Sequence, residues 1–74
     1  MRTYTIVVEP ESTGGYMVSV PALPGCFTQG ATLDECQERA AEAIAAHISG
    51  LEADGEPVPV EQGPAQLLTV TVAA

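Results

Sequence analysis

With 74 residues, the chain has material for one domain and no second core. Ten acidic residues against Arg2 and Arg39 give a net charge of −8, which opposes direct binding to nucleic acid or to an anionic membrane. No apolar run approaches the roughly 20 residues needed to cross a bilayer.

The acidity fits a basic protein partner, and it fits plain solubility equally well. A domain this small buries only about 60% of the surface its unfolded chain exposes, so outside help is expected. Two cysteines could form one disulfide at most. No secretory signal precedes the first strand, so a reducing cytoplasm is the expected setting and Cys26 and Cys36 are expected as free thiols. Self-association, to a dimer or a tetramer, is then the expected source of extra stability.

In chain order, residues 2–9 read as a first strand, with Tyr4, Ile6 and Val8 on one face and Thr3, Thr5, Val7 and Glu9 on the other. Pro10 is expected to end it, and residues 11–15 form a glycine-containing hairpin loop. Residues 16–20 read as a second, antiparallel strand in which Tyr16, Val18 and Val20 alternate with Met17 and Ser19. Pro21 stops that strand, and Pro24-Gly25 is a turn pair leading to a third strand at residues 26–29.

Thr32-x-x-Glu35 reads as a capping box, in which the Thr32 hydroxyl takes the Glu35 N–H and the Glu35 carboxylate returns to Thr32. A helix over 33–53 follows, with Leu33, Cys36, Ala40, Ile44, His47, Ile48 and Leu51 as its apolar stripe. Gly55 is its expected stop, and Pro57 and Pro59 prevent continuation. Residues 66–72 read as a fourth strand, Leu68, Val70 and Val72 alternating with Leu67, Thr69 and Thr71.

The expected fold is therefore α+β with the order β-β-β-α-β. A right-handed crossover would lay the last strand beside the first, giving a four-stranded, mostly antiparallel sheet of order 3-2-1-4 under one helix. Thr5, Val7, Met17, Ser19, Leu67, Thr69 and Thr71 would share the uncovered face, which is too apolar for solvent alone and predicts a contact with another chain.

The segment V-P-x-L-P-G-C-x-T-Q-G-x-T-x-x-E at 20–35, the A-x-x-A-I at 40–44 and the G-x-P-x-P at 55–59 together carry a family resemblance. The chain resembles the N-terminal domain of HicB-type antitoxins from near Tyr4 through Pro59. The resemblance implies a degraded, non-catalytic ribonuclease H-like fold. It also implies a small basic HicA toxin as partner, an mRNA-cleaving ribonuclease whose catalytic histidine the antitoxin covers. Family members typically add a C-terminal DNA-binding domain; residues 1–74 are expected to be a single HicB-like domain without one.

The residues themselves give little chemistry. Cys26, Cys36 and His47 are the soft metal-ligand candidates, yet no C-x-x-C or H-x-x-x-H is present. Cys36 and His47 are eleven positions apart, three helical turns, and cannot share an ion. Ribonuclease H-like catalysis needs carboxylates that converge on metal ions, but the first and last strands carry none in their interiors. No catalytic residue, cofactor or metal is expected. Glu35, Glu38 and Glu42 line one side of the helix and read either as a solvated face or as an acidic patch for a basic partner, with Glu9 at the end of the first strand as a fourth candidate. A solitary oligomeric module that binds some other protein or ligand is the alternative function.

Overall fold

Two hairpins build the sheet, and one helix folds back across it. The computed structural model describes residues 1–73. Strands β1 (Val7–Pro10), β2 (Tyr16–Ser19) and β3 (Phe27–Gly30) pair antiparallel in the order β1-β2-β3, and α1 (Leu33–Ala53) follows. The register places Val8, Val18 and Thr28 in one row across the sheet, facing the helix.

The first hairpin closes where the Glu11 N–H donates to the Gly15 carbonyl at 3.0 Å. Pro10 belongs to β1 rather than ending it. It is tolerated because β1 is an edge strand, where a missing donor leaves no partner unsatisfied. Residues 2–6 were expected in the first strand but lie outside it. β2 ends at Ser19, and the positions that would face Ile6 and Thr5 are Val20, whose N–H turns to Cys26, and Pro21, so residues 2–6 have no strand to pair with.

The second connection is tighter. Val20 donates to the Cys26 carbonyl at 3.2 Å, Leu23 to Val20 at 2.9 Å and Cys26 to Leu23 at 3.0 Å. These bonds use N–H groups before, between and after the two prolines and fold Leu23 inward. Leu23 is fully buried with Val20 and Cys26, against Tyr4, Ile6, Ala43 and Ile44. A second cluster joins Val18, Cys36 and Ala40, flanked by Ile6, Val8 and Tyr16. Leu23 and Cys26 are core residues that the strand alternation does not reveal.

The helix has the bounds its sequence predicts. At its start, Thr32 Oγ1 accepts the Glu35 N–H at 3.1 Å. The return bond differs from the expected one: Glu35 Oε1 accepts the Ala31 N–H at 3.1 Å, one residue earlier than Thr32. At its end, Gly55 adopts φ +69°, its N–H donates to the Glu52 carbonyl, and the Glu56 N–H donates to Leu51 at 2.9 Å. That pair of bonds satisfies the last carbonyls and turns the chain out of the helix. The inward stripe is shorter than expected. Cys36 and Ala40 are buried, Ile44, His47, Ile48 and Leu51 are partly buried, and Leu33 is exposed.

The expected fourth strand does not pair with the sheet, and the four-stranded order 3-2-1-4 is replaced by three strands. Leu68, Val70 and Val72, expected on the face under the helix, are 72–85% exposed. The connector explains why. Tyr4 Oη donates to the Pro59 carbonyl at 2.6 Å, while Glu61 accepts the Thr5 N–H on Oε1 and the Thr5 hydroxyl on Oε2. Val60 to Gly63 share a shallow depression with Pro21 and Ala22, at the end of β2. The connector is thus fastened where β2 stops, and the chain leaves the body from there.

Gly30 sets the distance between sheet and helix. A Cβ on it would lie 2.9 Å from both the backbone nitrogen and Sγ of Cys36. Gly50, by contrast, has open space around the same position. Gly30→Ala is expected to destabilise the fold by about 1–3 kcal/mol through overpacking. Gly50→Ala is expected to stabilise it by roughly 0.5–1 kcal/mol through lower chain entropy. Urea unfolding of the two variants should move the midpoint in opposite directions.

Candidate functional site

The acidic candidates are carried on two separate surfaces. Glu38 and Glu42 are exposed on α1, on the side away from the sheet. Glu35 is partly buried, because its carboxylate is held by the Ala31 N–H. Asp34 joins it in the first turn, where negative charge is stabilised by the helix dipole. Glu9 lies elsewhere. Its register partner is Met17, which in turn faces Gln29, and that row belongs to the uncovered side of the sheet. The structure therefore groups the three helix glutamates and leaves Glu9 apart.

The uncovered sheet face is mixed. Val7, Ser19 and Phe27 form one row beside the Glu9-Met17-Gln29 row. Phe27 is 63% exposed and Met17 43%, so the face offers apolar contact area as well as one carboxylate. Leu67, Thr69 and Thr71 were expected to share this face, but they stand in the extended tail beyond the connector.

Two concave regions flank the helix. One, of about 500 Å³, is lined by Glu11, Tyr16, Gln29, Glu35 and Arg39 among others, and it brings a cation beside two carboxylates. The other, of about 760 Å³, runs between α1 and the start of the chain and is lined mainly by Tyr4, Ile6, Ala40, Ala41, Ile44 and Ile48. Sequence reading singled out neither. The second could not have been inferred, since the sequence reading laid a fourth strand over that position and the structure has none there.

Among the described residues, no group of three or more His, Cys, Asp or Glu is placed to hold a metal ion, and no helix is long and apolar enough to cross a membrane. Cys26 and Cys36 are free and buried in separate clusters. Burial pushes the Cys26 thiol above its ordinary pKa, because a thiolate there would lose its hydration. His47 is partly buried on the helix. Glu61 is the functional-looking carboxylate that the sequence hides, since its partner Thr5 is 56 residues away and no local pattern links them.

A family model described as HicB-like antitoxin of bacterial toxin-antitoxin system matches residues 4–70. A UPF0150 protein of Thermoplasma acidophilum is 46% identical over 56 residues, 76% of this chain and 81% of its own. Antitoxin HicB of Escherichia coli K12 is 35% identical over 57 residues, 77% of this chain but 41% of its own, so the chain spans about two fifths of that relative. Among solved structures, a chain of a HicA3 and HicB3 toxin-antitoxin complex superposes with a TM-score of 0.68 at 28% identity, covering 86% of this chain and 72% of that one.

The burial of both thiols has a direct chemical consequence. A thiol reagent such as DTNB is expected to modify Cys26 and Cys36 slowly in the folded protein and rapidly once urea unfolds it. Fast native-state reaction of Cys26 would contradict its place in the core.

Proposed function

Because the chain belongs to the HicB-like antitoxin family, matched over residues 4–70, we propose that it binds a small basic HicA-type toxin and covers the surface that the toxin uses on mRNA. The family match is the observation that carries this reading. The net charge of −8 supports it, since a surface that holds RNA is basic and an acidic protein competes for the same charges. The structural neighbour is a toxin-antitoxin complex, and its pairing is transferred here as part of the proposal.

Inhibition in this reading is occlusion and breaks no bond. Glu38 and Glu42 are the leading contact residues because they are exposed together on one helix face. Glu35 stands at the head of the same face, with its carboxylate partly engaged by Ala31. Glu9 marks a second contact region, where Met17 and Phe27 add apolar area on the uncovered sheet face. Residues 1–74 act as a single HicB-like domain of degraded ribonuclease H-like type in the cytoplasm. The domain also associates with itself, as its exposed apolar tail favours.

Co-expression with a HicA-type toxin from a neighbouring reading frame is expected to relieve growth arrest and to give a complex on gel filtration. The double charge reversal E38K/E42K is expected to weaken that complex roughly tenfold, and more at low salt than at high salt. Titration of the toxin against both proteins at two ionic strengths measures this. An unchanged affinity would move the contact away from the helix. Absence of any complex with the wild-type chain would remove the toxin as partner.

A further inference from the structure

We propose that residues 67–72 of one copy form a strand on the outer edge of β1 of a second copy and fill the groove between that edge and α1, with the exchange made in both directions. This deepens the self-association reading and rests on it.

The donor is a strand without a sheet. Leu68, Val70 and Val72 alternate with Thr69 and Thr71, the period of a half-buried strand. In their own chain these three apolar side chains are 84%, 85% and 72% exposed. Water is a poor environment for such a run, and an apolar strand left unpaired is a template for another chain.

The acceptor is a sheet edge beside an apolar trough. Among the described residues, β1 is the end strand of the sheet and pairs with β2 alone. Backbone polar groups alternate in direction along a strand. The Glu11 N–H donates across the hairpin to Gly15, so odd positions face β2 and the even positions Ile6 and Val8 turn their backbone groups outward. Beside that edge lies the groove of about 760 Å³ lined by Tyr4, Ile6, Ala40, Ala41, Ile44 and Ile48. A strand laid on β1 would present one face to this trough, as the alternation of Leu68, Val70 and Val72 requires.

Two observations favour a second copy over the tail's own chain or a basic partner. The connector is held at Thr5 by Glu61, beside the end of β2, and the tail departs from there with its apolar residues uncovered. Electrostatics gives the second. Two copies each carry −8, so a contact between them must avoid carboxylates. Residues 62–74 contain no charged side chain, and the groove lining contains Arg2 but no Asp or Glu. A basic protein would be drawn to the acidic helix face instead.

The test uses the full chain. Sedimentation across a range of concentrations is expected to show a dimer. A sample mixed from isotope-labelled and unlabelled protein is expected to show NOEs between molecules, from the Leu68 and Val70 methyls to those of Ile44 and Ile48. Thr69→Pro and Val70→Pro each remove one amide donor, and neighbouring N–H groups point to opposite edges. One of the two variants is therefore expected to raise the dimer dissociation constant roughly tenfold while leaving helix content unchanged. A monomer at every concentration would overturn both self-association and the exchange. A dimer without these intermolecular NOEs, or with the tail docked on its own groove, would overturn the exchange alone.

Discussion

The sheet and the helix touch at Gly30. With no side chain there, the backbone of β3 comes close enough for Cys36 to sit fully buried over the sheet. From that contact the helix carries Ala40 across Val18 and then Ala43 and Ile44 toward the Leu23 turn, so the two small core clusters lie under successive turns of one rod. Thr32 and Glu35 fix where the rod starts, and Gly55 fixes where it stops. In a domain with so few buried side chains, the spacing at one glycine decides whether the rest can pack.

Much of this architecture follows from local rules and could be read in the chain. The alternation of Tyr16, Val18 and Val20 names the buried face of β2, and the Thr32 cap gives the start of α1. Leu23 could not be read, because its burial comes from a turn between two prolines rather than from a periodic element. The fastening of Glu61 to Thr5 could not be read either, since a contact across most of the chain leaves no local trace. The tail shows the limit most clearly. Its alternation reads as a strand, but residues 66–72 form none in the sheet, because alternation does not supply a partner edge.

The candidate site was legible in the same partial way. Glu35, Glu38 and Glu42 share a helix side by spacing, and the helix does present them together. Strand parity puts Glu9 on the far surface of the sheet, apart from the helix glutamates. The resulting molecule separates its surfaces by chemistry. Carboxylates mark the outside of the helix, while the neutral tail and the apolar groove avoid them. Charge can then attract a basic protein without interfering with contacts between like-charged copies.

The order of elements along the chain has a consequence for synthesis. Each strand pairs with the one made just before it, and the helix packs chiefly on the last of the three. Contacts between near neighbours in sequence close quickly, and a growing chain folds from its N-terminal side. The platform through Glu56 therefore holds its whole buried core without the residues that follow. The residues after Glu56 add the fastening of Glu61 at Thr5 to a body whose buried core lies entirely before them.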